Sequence, residues 1–483
     1  MNLVNYLFED SSTLKKELIL GTQETSTYQS VYESSFQLAC FLQNKIGTGK
    51  NIVLISPNSP FFIIAYLGIL KSGNICVPLN PSIEQTNFDF ILNKTKCTLA
   101  FISDITSKKL EIQITSFSES NLQAITANQQ TKEIADKNFD GDQIAEIIFT
   151  SGSTSTPKGV MLTHNNIIAN TNSIIQYLNL KSDDIMLVVL PFFYCYGLSL
   201  LHTHIRAGGQ LVLNNNFIFL GSTINNLNKF NCTGFAGVPS HFQILLRKTE
   251  IFKQTNFPSL RYVTQAGGKL HNTFINEFSE TFPSIQFFVM YGQTEATARL
   301  SYLPPNLIKE KPGSLGKGIP DVKLMVVDDK DQEVQPGNLG EIRAKGKNVM
   351  AGYFDDPAET ARTIRNGWLY TGDMGTIDKD GYIYLNARKK EIIKIGGRRI
   401  SPKEIEEVIN MIPEVIDCTV EAIQDELLGE GIKATIILNE KGNQINEEYI
   451  KHFCNSRLSK FKIPSLIVFR ESMELNATGK KIK

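Results

Sequence analysis

Residues 149–160 read Phe-Thr-Ser-Gly-Ser-Thr-Ser-Thr-Pro-Lys-Gly-Val. Six hydroxyl side chains, two glycines and one lysine stand between positions 150 and 159, directly after the apolar run 144–149. Glycines let a backbone curl around an anion, hydroxyls and free N–H groups donate to its oxygens, and a lysine balances its charge. The spacing lacks the Gly-Lys-Ser/Thr close of a Walker loop. A flexible Ser/Thr linker would not need a Pro-Lys-Gly-Val close running into another apolar segment. The stretch therefore reads as a polyphosphate-gripping loop that follows a strand.

The surroundings repeat one rhythm. Residues 51–56 read as a strand, 60–71 as a helix and 75–79 as a strand, which is a βαβ unit. The strand 144–149 precedes a helix over 163–178, with Thr163 as its N-cap and apolar residues at 167, 168, 174, 175 and 178. Strands are expected at 185–190, 210–213, 234–238, 261–264 and 286–290, mostly with helical patterns between them. The fold class is α/β, a layered and largely parallel arrangement. Unusual residues follow most of these strands: Thr150-Ser-Gly152, Pro191-Phe-Phe-Tyr194, Pro239-Ser240, Ala266-Gly-Gly268 and Tyr291-Gly-Gln-Thr-Glu295. Ligands of open α/β sheets sit at the carboxyl ends of strands, so these clusters are expected to converge on one cleft.

Beyond residue 300 Gly and Pro become frequent and strands shorten. Asp378-Lys-Asp-Gly-Tyr382 reads as a hairpin turn. Ser401-Pro-Lys-Glu404 reads as a capping box with Pro at the first helical position, opening a helix with Ile405, Val408, Ile409 and Ile412 on one face. From about residue 390 a small separate α+β domain is expected.

At 483 residues the chain exceeds a single core. Lys+Arg and Asp+Glu both total 49, and this balance argues against a non-specific nucleic-acid binder. Seven scattered cysteines without CxxC spacing fit a reducing, cytoplasmic compartment and no zinc site. The longest apolar run, 61–70, is too short for a transmembrane segment.

Four further segments carry chemistry. In Tyr291-Gly-Gln-Thr-Glu295 an aromatic ring can cover a nucleobase, and Thr and Glu oxygens are hard ligands for Mg²⁺. In Trp368-Leu-Tyr-Thr-Gly-Asp373 an acid beyond a glycine can accept ribose hydroxyls. Arg388-Lys-Lys-Glu-Ile-Ile-Lys-Ile-Gly-Gly-Arg-Arg-Ile400 reads on charge alone as a solvated basic turn. Asn476-Ala-Thr-Gly-Lys480 lies beside the C-terminus, where a disordered tail is the simplest reading.

Taken in order, these five segments resemble the adenylate-forming superfamily of acyl-CoA synthetases, aryl-CoA ligases, peptide-synthetase adenylation domains and luciferases. Gly313-Ser-Leu-Gly316, Gly340-Glu-Ile-Arg343 and Met350-Ala-Gly-Tyr353 add to the resemblance, which covers nearly the whole chain. It implies an N-terminal AMP-binding domain over 1–389 and a mobile C-terminal lid over 390–483. It implies that Thr150, Ser151, Gly152, Ser153, Thr154 and Lys158 hold the pyrophosphate end of ATP. Ala266, Gly267 and Gly268 would flank adenine opposite Tyr291 and Gly292. Thr294 would touch the α-phosphate, Glu295 would hold Mg²⁺, and Asp373 and Arg388 would bind the ribose. Lys390 stands at the family's hinge position and Lys480 at that of its adenylation lysine. Gly396 and Gly397 would leave space for a pantetheine arm, and Tyr194, Gly197, Phe235 and Val238 would shape the acyl pocket.

Three positions depart from the family pattern. Ser155 replaces a loop glycine, Tyr194 replaces a frequent histidine, and Lys269 stands where proline is frequent. The activity implied is ATP-dependent activation of a small-molecule carboxylic acid as acyl-adenylate, then transfer to a thiol, foremost coenzyme A. The alternative is a stand-alone enzyme loading an amino or aryl acid onto the phosphopantetheine of a carrier protein. Amino-acid-activating members place an Asp within the segment corresponding to 192–197. Tyr194, Cys195 and Tyr196 stand there, which favours an acid without an α-amino group.

Overall fold

The computed structural model describes residues 1–21, 26–127, 139–150, 157–388, 391–395, 398–425, 429–476, 479 and 481. Among these, three sheets carry the molecule. The first runs Gly352–Tyr353, Lys158–Thr163, Ile144–Thr150, Ile75–Leu79, Asn51–Ile55, Leu99–Ile102, Thr115–Phe117. Its centre is parallel, and it ends in antiparallel pairs on either side of Lys158–Thr163.

The second sheet has two halves. Glu17–Leu20, Gln210–Leu213, Ile185–Val188, Gly234–Gly237, Tyr262–Gln265 and Gln286–Tyr291 are parallel neighbours. Beyond Gln286–Tyr291 the pairing turns antiparallel through Ser301–Leu303 and Ser314–Gly318, and then through Ile383–Arg388, Trp368–Ile377, Gly340–Lys345 and Lys323–Val327. The expected parallel arrangement thus describes the half before residue 300. The later half is a meander, because hairpin turns such as 378–382 replace crossover helices. There the Asp378 carboxylate accepts from the backbone N–H groups of Asp380 and Tyr382, and Gly381 supplies a φ of 83°.

Local signals account for the helices. Pro60–Lys71 starts on Ser59, whose hydroxyl accepts from the N–H of Phe62. Its sequence is apolar all round and ten of its twelve residues are buried, which suits a helix enclosed between layers. His164–Leu178 starts on Thr163, and Asn166 completes the reciprocal cap. Ser401 departs from expectation. It precedes Pro402–Ile409 as N-cap, but its hydroxyl donates to the carbonyl of Asn386 rather than accepting from the helix. A tertiary partner outcompetes the local one, and the capping box does not form.

The third sheet joins Arg398–Ile400, Ile393–Ile395, Gly429–Leu438, Val415–Asp425 and Leu466–Arg470. With Pro402–Ile409 and Glu447–Asn455 it encloses its own apolar cluster, including Ile393, Ile405, Ile409, Val420, Ile436 and Ile450. All seven cysteines are free and buried. No helix among the described residues is long and apolar enough to cross a membrane.

One buried polar group stands out in the first sheet. Glu146, 1% exposed, accepts at 2.8 Å from the Tyr66 hydroxyl, which lies 2.9 Å from His202 Nε2. With Tyr66 donating to Glu146, His202 is the donor to the phenol oxygen. Burial raises the Glu146 carboxyl to about 7 and lowers His202 to about 3. A folded value near 7 exceeds the unfolded value of about 4.3, so the folded state holds the proton longer. The resulting stabilisation is complete below the unfolded value and is lost as pH rises through 7. Glu146→Gln keeps an acceptor for Tyr66 and removes the titration. Its melting temperature relative to wild type should rise between pH 5 and pH 8, by the equivalent of at most about 3 kcal/mol. Parallel melting curves across that range would show that Glu146 does not titrate there.

Candidate active site

The rim of the first sheet holds the stem of the Ser/Thr-rich loop. Thr150 and Lys158 face each other as the last antiparallel pair of their hairpin. Ser151, Gly152, Ser153, Thr154 and Ser155 lie outside the described residues. Lys158 is ion-paired to Glu359 at 2.5 Å and lies 5.4 Å from the centre of the Tyr353 ring. The carboxylate of Glu359 is pushed below its ordinary range, first by the Lys158 hydrogen bond. The Tyr353 hydroxyl donates at 2.9 Å to Glu295 Oε1. Lys158 and Glu295 therefore meet the same tyrosine, one over its ring and the other at its hydroxyl.

Glu295 belongs to the turn that ends Gln286–Tyr291, and its carbonyl accepts from the N–H of Met350. Gly292 permits that turn: a Cβ there would stand 2.0 Å from the Ala298 carbonyl oxygen. Thr294 is 3% exposed, with its hydroxyl 3.5 Å from Cys195 Sγ. Tyr194 borders the same hydroxyl. Burial and Cys195 push its phenol far above the ordinary range, while a hydrogen bond with Thr294 opposes them.

Tyr291 and Asp373 bring the two halves of the second sheet together. The buried Tyr291 hydroxyl donates at 2.7 Å to Asp373 Oδ2. Arg388 pairs with Asp373 across the antiparallel ladder and sets its Nε 3.4 Å from Oδ1. Burial pushes the Asp373 carboxyl up and Arg388 opposes the shift. Beside them Ala266 is buried, Gly267 takes a φ of 89°, and Gln265 donates to the Gly268 carbonyl at 2.8 Å.

The four residues expected in the acyl pocket do not form one wall. Tyr194 borders Thr294, as above. Val238 lies beside Gly479, where a Cβ would be 3.1 Å from Val238 Cγ2. Gly197 is a packing glycine: a Cβ would approach the Pro191 carbonyl oxygen to 2.0 Å. Phe235 lies apart, with its ring 5.8 Å from Phe242 in the second apolar layer. Strand alternation explains this, since Ala236, not Phe235, belongs to the cluster containing Tyr196. The Tyr196 hydroxyl bonds the carbonyl and hydroxyl of Thr264, and the Arg299 guanidinium stacks 3.9 Å from its ring.

Lys390, Gly396, Gly397 and Lys480 lie outside the described residues. Gly479 is described, and its carbonyl accepts from the Ser240 hydroxyl at the end of Gly234–Gly237. Beside it stands His241, 5% exposed, whose ring packs 4.0 Å from that of Phe217 and which burial lowers to about 3. Tyr353 and Glu359 were assigned no site role in the sequence reading, whereas Ser240 belonged to the Pro239-Ser240 cluster expected at the cleft. Tyr353 was visible within Met350-Ala-Gly-Tyr353. The Glu359–Lys158 pair spans 201 positions and leaves no local signal.

Residues 9–354 match the AMP-binding enzyme family, and residues 404–480 match the AMP-binding enzyme C-terminal domain. The chain belongs to this family of adenylate-forming enzymes. An oxalate–CoA ligase of Arabidopsis thaliana is 30% identical over 451 residues, 90% of this chain and 87% of that protein. A long-chain-fatty-acid–CoA ligase of Bacillus subtilis is 30% identical over 503 residues, 95% of this chain and 89% of that one. The solved structure of ATP-bound MatB from Rhodopseudomonas palustris superposes with a TM-score of 0.88 at 25% identity, covering 99% and 96% of the two chains.

Asp373→Asn retains an acceptor for Tyr291 and removes the charge that faces Arg388. AMP binding measured by calorimetry should weaken by about 1.5–3 kcal/mol, the range for a hydrogen bond to a charged group, with the thermal midpoint little changed. Undiminished affinity would take Asp373 out of the nucleotide site.

Proposed function

We propose that the protein is an AMP-forming acid–CoA ligase, acting on a carboxylic acid without an α-amino group. The observation that carries this reading is the meeting of Asp373, Tyr291, Arg388, Thr294 and Glu295 on one rim, with the segment ending at Gly479 on the adjoining strand end. Relatives named for oxalate and for long-chain fatty acids both use coenzyme A, which supports that thiol as the acceptor.

In the first half-reaction a carboxylate oxygen bonds to the α-phosphorus of ATP and pyrophosphate leaves. Tyr291 and Gly267 border the base, Asp373 accepts from the ribose hydroxyls, and Arg388 holds that carboxylate in its charged form. The Thr294 hydroxyl and Lys480 meet the charge that develops on the α-phosphate. Glu295 fits a hard cation, because Tyr353 occupies Oε1 and leaves Oε2 as a ligand. Glu295 would hold Mg²⁺ there, which would supply neutralising charge to the phosphates. In the second half-reaction the CoA sulfur bonds to the acyl carbon and AMP leaves. The chain turns at Lys390 so that residues 390–483 act as a lid, withdrawing Lys480 and presenting Gly396 and Gly397 to the pantetheine arm.

Pyrophosphate exchange over a panel of carboxylic acids tests the reading directly, and the absence of exchange with every acid would overturn it. Lys480→Ala should lower exchange by about 3–4 kcal/mol of transition-state stabilisation, by analogy with the loss of one oxyanion donor. Thioester formation from supplied acyl-adenylate and coenzyme A should survive far better. Equal loss in both halves would remove Lys480 from its assigned role.

A further inference from the structure

Ser240, Gln243 and Arg247 are spaced i, i+3, i+7 on the helix Pro239–Arg247, so they share one face. All three touch the C-terminal domain. Ser240 Oγ donates to the carbonyl of Gly479, and Gln243 Nε2 donates to Asp417 Oδ1 at 2.9 Å. Arg247 NH1 donates to the carbonyls of Asn410 at 3.1 Å, Ile412 at 3.0 Å and Val415. These carbonyls lie just past the end of Pro402–Ile409, in the turn that follows and at the first residue of Val415–Asp425. A helix leaves its last carbonyls without intrahelical donors, and its C-terminus favours a cation.

The guanidinium also has partners in the large domain. Its plane stacks 4.2 Å from the Phe274 ring, and Nε is held 3.2 Å from Glu277 Oε2, both within the large domain. Only the end that serves the carbonyls is left for the other domain. With the side chain 6% exposed, the docked guanidinium is enclosed by partners from both domains.

The same face bears on Lys480 through both of its neighbours in the chain. Gly479 is held by Ser240, and Lys481 Nζ donates to Asp417, the residue that Gln243 holds. We infer that Ser240, Gln243 and Arg247 form a docking face that positions the C-terminal segment for adenylate formation, with Arg247 as its anchor. These are positioning residues, because none of them touches the reacting atoms. The inference rests on the ligase reading above.

The test uses the full chain and an acid that the wild type accepts. Arg247→Met keeps an apolar stem on Phe274 and loses the carbonyl contacts. The kcat of pyrophosphate exchange should fall by about 10²-fold, the scale of a 1 Å misplacement at a reacting centre. KM for ATP and for the acid should move little, and thioester formation from supplied acyl-adenylate should persist. Arg247→Lys should restore exchange only in part, since an ammonium cannot reproduce the planar fork. Ser240→Ala, which leaves the core untouched, should lower exchange alone and by less. Unchanged exchange in Arg247→Met and Ser240→Ala, or equal loss of both half-reactions in folded variants, would overturn the inference. Failure of the wild type to exchange with any acid would instead overturn the ligase reading.

Discussion

A carboxylate 4% exposed cannot remain charged in a protein interior without partners, and Asp373 draws its partners from the two halves of the second sheet. The Tyr291 hydroxyl comes from the last parallel strand of the second sheet. Arg388 comes from the last strand of the antiparallel meander, immediately before the chain enters the third sheet. Three parts of the chain are therefore registered at one acid. If the meander slipped by one residue against Gln286–Tyr291, Asp373 would face the wrong side and its charge would be buried alone. The proposed nucleotide site thus coincides with the seam of the sheet.

Much of this was legible from local pattern. The helix 60–71 and the strands 75–79 and 210–213 stand at the expected bounds, because apolar runs, a Ser-Pro start and Gly or Asn stops all agree there. The hairpin at 378–382 was equally plain. Ser401 misled because a short polar side chain has two kinds of partner, and sequence displays only the local one. The side that Phe235 takes was not legible for a similar reason. Its strand Gly234–Gly237 is buried on both faces, so composition does not say which face meets the site.

At the site, the motifs identified residue types, and the fold supplied the pairings. Lys158 and Glu295 both meet Tyr353, one over its ring and one at its hydroxyl, yet each has its own partner: Glu359 for the lysine and the phenol for the glutamate. Such a division of partners depends on contacts across 58 and 201 positions and has no periodic signature. The apolar interior around Tyr196 is likewise fixed by Arg299, a buried cation whose ring partner is remote in sequence.

The helix Pro239–Arg247 links the two scales. Its first turn follows Gly234–Gly237 at the rim, and its last residue reaches the C-terminal domain. Arg247 stands seven positions after Ser240, so the two contacts lie about 10 Å apart at 1.5 Å per residue. A helix backed by packed aromatic rings, among them Phe242 against Phe278 and Phe287, transmits position rather than bending. A guanidinium at one end and a hydroxyl at the other thus act on a single rigid rod. Displacing the domain at Arg247 should therefore displace Gly479 at Ser240, the coupling on which the proposed docking face depends.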